Sequence, residues 1–344
     1  MPEKNKNKKN NVVSKLMGLD KDGKGVKKRK ITDKERYSFK SFFYLYKNQF
    51  WNLIVLNLMF MLMISPVICG ILLYFGVFAT RAPTPSNILF APVYGAHLCS
   101  PNPATSNLLG IFGTQSTILI GNSVTSALFY ITLLVFLTFG MANVGMTYIL
   151  RAYVRSDYVF LWHDFFRAIK KNFVSSIIVG ICDLAVIILL VFSMFYYYTA
   201  PGDFSYTILF FIMFAMTFIY FLMRFYIYIL LITFKLPPLK LIKNAFILAL
   251  LGIKRNIMAV FGIIVFLTVF LALFMFPAMA GLGMTLPIFL LISNAGFMAC
   301  FAAYPNVKKY MIDPYYAEHP EKGGGDNLED KLAIEDEPVF IDRG

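Results

Sequence analysis

Long apolar stretches alternate with short polar or basic segments along most of this chain. A helix that crosses the hydrocarbon core of a bilayer needs about 20 predominantly apolar residues. Six windows satisfy that requirement, and they lie at approximately residues 50–78, 125–150, 173–198, 206–234, 257–280 and 284–304. The pattern predicts an all-α, polytopic transmembrane helix bundle of about six spans within residues 37–316, with the lipid bilayer as its surroundings.

The segments outside these windows are hydrophilic. Residues 1–36 contain too few apolar positions to form a core and predict a disordered, basic N-terminal region. Residues 317–344 contain nine acidic and three basic residues and predict an acidic cytoplasmic tail. Residues 79–124 predict a long outer loop with five prolines and no carboxylate. Two explanations for this loop are open: a variable insertion over the outer mouth of the bundle, or a lid for an extracellular ligand or partner.

The distribution of positive charge changes the meaning of the net charge of +13. Lys and Arg number fifteen in residues 1–48 and five in each of 151–172, 235–256 and 305–344, whereas the intervening loops carry only Arg81. Basic segments on alternate sides of the spans predict that both termini are cytoplasmic. Because topology accounts for the basic residues, no nucleic-acid partner is expected.

Composition agrees with a lipid environment and offers little for catalysis. The hydrophobic residues make up 58% of the chain, the charged residues 15%, and the mean hydropathy is +0.65. The four cysteines and three histidines lack metal-ligand or disulfide spacing, and no HExxH, CxxC or phosphate-binding glycine loop is present. The sequence therefore predicts no enzymatic activity, no metal site and no cofactor.

Three segments that lead into predicted outward-going spans resemble one another: 42–50 (FFYLYKNQF), 165–173 (FFRAIKKNF) and 249–257 (ALLGIKRNI). Each predicts an amphipathic helix on the cytoplasmic surface, then a basic elbow, then a spanning helix. The interfacial elbow residues are Phe42, Phe43, Lys47, Phe165, Phe166, Lys170, Asn172, Lys254 and Asn256. Two explanations are open: a threefold internal repeat, or the general preference of interfacial helices for aromatic residues and lysine.

Two charged residues lie inside predicted spans. Asp183 is ten residues after Phe173, and Arg224 is ten residues before Phe234, so each lies about 15 Å from the cytoplasmic end of its helix. A lone charge at that depth costs at least about 2.5–3.5 kcal/mol. We therefore expect an ion pair between these residues, with Asn143 as a neighbour, which is either a structural pair or a relay for a proton or solute.

Several strings resemble the YesL family of bacterial multi-span membrane proteins, the domain of unknown function 624. The strings are 145–151 (GMTYILR), 164–173 (DFFRAIKKNF), 241–245 (LIKNA) and 304–315 (YPNVKKYMIDPY). The resemblance covers residues 37–316 and implies a bacterial cell-membrane location. The basic N-terminal region, the proline-rich outer loop and the acidic tail depart from the family pattern.

The resemblance also implies a functional context, because this family is commonly encoded beside carbohydrate ABC transporters and glycoside-degrading enzymes. The resulting hypothesis is a non-enzymatic accessory component of carbohydrate uptake that binds a sugar ABC-transporter permease or another membrane protein. The alternative is a small-molecule transporter with a polar site near Asp183 and Arg224.

Overall fold

The structure covers most of the chain between residues 37 and 318. A computed structural model describes residues 37–85, 91–100, 102–104, 106–107, 115–200, 204–318 and 340–341. The N-terminal region predicted at 1–36 lies outside these residues, as does most of the tail predicted at 317–344. The chain divides into two compact units, Met1–Tyr44 and Leu45–Gly344, and the description of the first unit is confined to 37–44.

Helices dominate the described residues, and the strands are short. The helices include α1 (Phe39–Met63), α2 (Pro66–Tyr74), α3 (Ala91–Cys99), α4 (Ser123–Leu133), α5 (Val135–Arg155), α6 (Leu161–Lys171), α7 (Phe173–Thr199), α8 (Phe204–Thr233), α9 (Pro238–Leu251), α10 (Ile253–Met275), α11 (Ala280–Val307) and α12 (Asp313–Glu318). The strands are β1 (Thr80–Pro85), β2 (Gln115–Ile120), β3 (Phe234–Lys235) and β4 (Phe340–Ile341). Strands β1 and β2 pair antiparallel, and β3 and β4 pair parallel.

The length and composition of the helices confirm a polytopic helical bundle. Within the part of the chain that the structure describes, five helical stretches are long and apolar enough to cross a membrane, and α1 with α2 forms a sixth if this bent pair is one span. The five stretches are Ser123–Arg155, Phe173–Thr199, Phe204–Thr233, Ile253–Met275 and Pro277–Ala317. Many of their large apolar side chains face outward, as expected for helices whose surroundings are lipid.

The first predicted span differs from a single straight helix. Helix α1 ends at Met63, and α2 begins at Pro66 with an axis bent by 62° from that of α1. Proline at the first position of α2 has no backbone N–H, so it cannot continue the hydrogen-bond ladder of α1. The window predicted at 50–78 is therefore a bent helix pair that ends at Tyr74.

The helices that precede the basic segments form the centre of the bundle. Helices α5, α8 and α11 contact one another, α7 packs against α5 and α8, and α10 packs against α11. The short helix α6 contacts α5, and the short helix α9 contacts α8. Along the chain, α6 lies between α5 and α7, and α9 lies between α8 and α10. Each of these short helices thus connects a central helix to the next spanning helix.

The outer loop predicted at 79–124 contains regular structure. Strands β1 and β2 form an antiparallel pair, and α3 lies between them in the chain. Asn122 caps α4, because its Oδ1 accepts a hydrogen bond from the backbone N–H of Thr125 at 3.0 Å. The side-chain amide of Asn122 also donates to the carbonyl of Phe78 at 2.8 Å, which holds the two ends of this loop together.

Candidate functional site

Asp183 of α7 and Arg224 of α8 form an ion pair between two apolar helices. The Arg224 Nε atom lies 3.0 Å from Asp183 Oδ1 and donates a hydrogen bond to Oδ2 at 3.1 Å. Asp183 is 2% exposed, whereas the Arg224 side chain is 26% exposed. The pair thus has a buried anionic end and a partly open cationic end.

Two tyrosines complete the surroundings of the Asp183 carboxylate. The hydroxyl of Tyr220 donates to Oδ1 at 2.7 Å, and the hydroxyl of Tyr228 donates to Oδ2 at 2.6 Å. Both lie four residues from Arg224, so all three donors share one face of α8. Our sequence analysis did not predict these tyrosines as partners of Asp183. Their spacing of four residues on either side of Arg224 could have indicated that they share its face of the helix.

A close crossing of α5 and α7 lies one turn from the ion pair. A Cβ added at Gly140 would overlap the Ser176 carbonyl, and one added at Gly180 would overlap the backbone of Gly140. Only residues without a side chain allow two helix backbones this close. The adjacent Phe139 presents its ring to the Arg224 guanidinium, with 5.7 Å from Cζ to the ring centroid.

Asn143 lies on α5, one turn after Phe139. Its side-chain amide donates to the Phe139 carbonyl at 2.8 Å, within its own helix. No hydrogen bond among the described residues joins Asn143 to Asp183 or Arg224. The side-chain hydrogen bond of Asn143 is therefore made within α5 and not to either charged residue.

The guanidinium of Arg224 has an unused edge. Its Nε atom makes the hydrogen bond to Asp183, while Nη1 and Nη2 donate to no residue that the structure describes. In a membrane, exposed guanidinium N–H groups need water or a polar ligand as acceptors. This edge therefore has N–H donors that no described residue uses.

The elbow asparagines cap the helices that precede them. The amide of Asn172 donates to the carbonyl of Ala168 at 3.0 Å, near the end of α6. The amide of Asn256 donates to the carbonyl of Ala249 at 2.9 Å, near the end of α9. The last carbonyls of a helix have no partner within that helix, so these asparagines stabilise the break between elbow and span.

Helix α6 divides the predicted aromatic residues between two faces. Phe165 is fully buried, and its ring lies against Gly145, where an added Cβ would come within 2.7 Å of it. Phe166 is exposed and stacks on Trp162, with ring centroids 6.3 Å apart. Lys170 is also exposed. Helix α6 is therefore packed by one face and leaves an aromatic and basic face uncovered.

The first predicted elbow is not a separate helix, and this part of the prediction is wrong. Phe42, Phe43 and Lys47 all lie within α1, which continues to Met63 without a break. Gln49 stands where the other two elbows have asparagine, and its Oε1 accepts a hydrogen bond from the amide of Asn52 at 2.7 Å. That bond stays within the helix, so nothing comparable to the asparagine cap interrupts it.

The third elbow contains a buried hydrogen-bond network, here called the elbow network, of Tyr226, Asn256 and Asn306. The Tyr226 hydroxyl donates to Asn256 Oδ1 at 2.8 Å and accepts from the Asn306 amide at 2.9 Å. A Cβ at Gly252 would overlap both the Tyr226 hydroxyl and the Asn306 amide. The network joins α8, α10 and α11, while Lys254 remains exposed beside it.

Two further polar contacts were absent from the sequence predictions. Asn57 of α1 donates to the Ile288 carbonyl at 2.5 Å and accepts from the backbone N–H of Ser293 at 2.8 Å. Arg151 of α5 donates from Nη1 to the Thr233 hydroxyl at 2.8 Å. Among the described residues, no group of three or more His, Cys, Asp or Glu side chains could hold a metal ion.

Comparisons with known proteins match a family to the segment of the chain that contains Asp183. Residues 118–194 match the family described as "Protein of unknown function, DUF624". The matched segment contains Asp183, the Gly140–Gly180 crossing and α6, whereas Arg224 lies beyond it. Neither the curated proteins nor the solved structures contain a match to the chain.

Proposed function

We propose that this protein is a non-enzymatic accessory component of carbohydrate uptake in the bacterial cell membrane, with both termini in the cytoplasm. In this proposal it binds a sugar ABC-transporter permease, or another membrane protein, through the exposed face of α6. The likeness to YesL-type proteins supports the carbohydrate context, and the alternation of basic segments supports the orientation.

The observation that carries the proposal is the uncovered face of α6. Trp162 is 58% exposed and stacks on Phe166, and Lys170 lies one turn further along the same helix. The buried side chains of Phe165 and Ile169 hold the opposite face against the bundle. A rigid helix that presents aromatic and basic side chains at a membrane boundary suits a partner helix or loop better than it suits a catalytic role.

The hydrogen bonds to the Asp183 carboxylate are a second observation that supports an accessory role. Its two oxygens accept hydrogen bonds from Tyr220, Tyr228 and Arg224. A carboxylate with all these donors in place is expected to hold α7 and α8 together, and releasing it for a proton relay would require several bonds to break.

Photocrosslinking in the native host tests the docking role. A photoreactive amino acid at Trp162 should capture a specific membrane protein, identified by mass spectrometry as a permease subunit. Phe192 is a matched control, because it is an exposed aromatic residue on the apolar helix α7 and lies outside α6. Capture of lipid alone at both positions would refute the proposal.

The unused edge of Arg224 favours a second candidate function, a small-molecule transporter. Its Nη1 and Nη2 atoms could bind a solute within the bundle while Nε stays on Asp183. Purified protein in liposomes should then move the solute, and Arg224→Gln should abolish the flux while Trp162→Ala leaves it unchanged. Absence of flux for a panel of sugars and organic anions, with crosslinking to a permease intact, would favour the accessory role.

A further inference from the structure

We propose that the side chain of Asn57 is a latch on a hinge in α11, so that the position of α1 sets the bend of α11. The hinge consists of residues 287–293, which begin with a proline inside α11. The proposal is separate from the docking face of α6 and from the unused edge of Arg224, because it involves the residues of neither.

The amide of Asn57 is inserted into the backbone hydrogen bonds of α11. It donates to the carbonyl of Ile288 at 2.5 Å, and its Oδ1 accepts from the N–H of Ser293 at 2.8 Å. In an uninterrupted α-helix the N–H of Ser293 donates to the carbonyl four residues earlier. An N–H group has a single hydrogen, so the bond to Asn57 competes with the bond that would continue the helix. A side chain inserted in this way is a recognised cause of helix bending.

Pro287 interrupts the same part of α11. Proline has no backbone N–H, and its ring meets the carbonyl four residues earlier, which belongs to Gly283. The proline and the inserted amide of Asn57 therefore disturb neighbouring turns of one helix. Bends in helices concentrate at such interruptions, and this places the hinge at residues 287–293.

The parts of α11 on the two sides of the hinge are held by different helices. Apart from Gly283, the buried residues of α11 all lie from Ser293 onward. In this second part, a Cβ at Gly296 would come within 2.8 Å of the Leu150 side chain of α5, and the elbow network adds a bond to α8. In the first part, a Cβ at Gly283 would overlap the backbone of Phe274 in α10. A change of bend therefore moves the first part with the end of α10, while the second part stays with α5 and α8.

Burial makes the latch a choice between two forms. Asn57 and Ser293 are fully buried, and a buried backbone group without a hydrogen bond is strongly unfavourable. With Asn57 in place, its amide serves the two backbone groups of α11. When α1 moves away, these groups must bond within α11, which closes the hydrogen-bond ladder and changes the bend. Intermediate positions leave the groups without partners, so the helix switches between two discrete forms.

Distances between spin labels in the full-length protein test the latch. One label replaces Leu282, which is exposed in the first part of α11, and the second replaces either Tyr198 in α7 or Tyr130 in α4, both exposed. Two reference positions are used so that a displacement perpendicular to one line is seen along the other. The native cysteines are replaced by alanine, and the distances are measured in lipid nanodiscs by double electron–electron resonance.

Asn57→Leu keeps the approximate size of the side chain and removes both of its hydrogen bonds. Leu282 lies about 9 Å along the helix axis from Ile288, so a change of about 20° in the bend moves the label by about 3 Å. We expect a shift of about this size, or a second population at this displacement. Asn143→Leu is the matched control, because Asn143 is also a buried asparagine of an apolar helix but its amide bonds within its own helix. The control should leave the distances unchanged.

Pro287→Ala keeps the proposal testable if Asn57→Leu fails to fold. It retains the amide of Asn57, restores an N–H at position 287 and removes the contact of the ring with the Gly283 carbonyl. It should therefore favour the form with a closed ladder and produce a population displaced by about 3 Å. Unchanged distances in Asn57→Leu, or in Pro287→Ala where Asn57→Leu does not fold, would overturn the proposal. An equal shift in Asn143→Leu would also overturn it, because the loss of any buried amide would then be sufficient.

Discussion

Replacement of Asp183 with asparagine is expected to destabilise the protein strongly while preserving the shape of the side chain. The substitution removes the negative charge that faces Arg224 and replaces one of the two acceptor oxygens with an N–H donor. Tyr220 and Tyr228 each donate to a different carboxylate oxygen, so one of these hydroxyls must turn or lose its acceptor.

The size of the effect follows from burial and charge. Breaking one partner of a buried ion pair costs about 3–5 kcal/mol, and a charge left near the centre of a membrane costs at least about 2.5–3.5 kcal/mol. Because the Arg224 side chain keeps 26% of its exposure, part of this penalty is relieved. We expect a loss of about 3 kcal/mol for Asp183→Asn, against about 1.5 kcal/mol for Tyr228→Phe, which removes one hydrogen bond to the charged group.

A double-variant cycle provides the assay. The free energy of unfolding in mixed micelles would be measured for the natural protein, Asp183→Asn, Arg224→Gln and the variant with both changes. Removal of both charges should recover about 2 kcal/mol relative to the sum of the single changes, because no orphaned charge remains. Tyr228→Phe serves as the control for the loss of one donor with both charges in place.

Simple additivity of the two single changes would refute this reasoning, since it would mean that the charges do not interact. A natural-like stability of Asp183→Asn would also contradict it. If the double variant folds and supports full activity in cells, the relay interpretation of the pair is excluded and the structural interpretation holds.

Further predictions concern packing and orientation. Gly140→Val should cost about 3 kcal/mol or prevent folding, as measured by thermal unfolding, because its side chain would meet the backbone of α7. Gly252→Ala should cost about 2 kcal/mol by disturbing the elbow network, whereas Gly262→Ala, which meets only the end of a flexible methionine, should change stability by less than about 0.5 kcal/mol. In intact cells an impermeant maleimide should label the exposed Cys99, whereas cysteine at Lys240 in a Cys99→Ser background should label only after permeabilisation. The reverse labelling pattern would contradict the proposed orientation.

The sequence supported prediction of the spans and of the charged partners for a common physical reason. Lipid requires about 20 apolar residues per span, so the windows are visible in a one-dimensional pattern. Lipid also penalises a lone charge, so Asp183 and Arg224, at equal depth on consecutive helices, were each other's expected partners. The orientation of the termini was inferred from charge alone and stays a prediction.

The elbows show the limit of local sequence comparison. The strings around Lys47 and Lys170 share aromatic residues and spacing, yet only the second is followed by a helix break. The two segments differ in one polar contact: Asn172 caps the preceding helix, whereas Gln49 accepts a hydrogen bond within its own helix. Aromatic periodicity cannot reveal which carbonyl an amide side chain will reach.

Other features were decided by the tertiary structure, because they depend on which helices become neighbours. Nothing local to Asn57 indicates that its amide will bond the backbone of α11, more than 200 residues later. The burial of Phe165 beside an exposed Phe166 follows from the contact of α6 with α5. The hydroxyl donors of Asp183 likewise appear only once α7 and α8 are packed. Apolar length and isolated charges are properties of the chain itself, whereas the partners of its uncharged hydrogen-bonding side chains are properties of its packing.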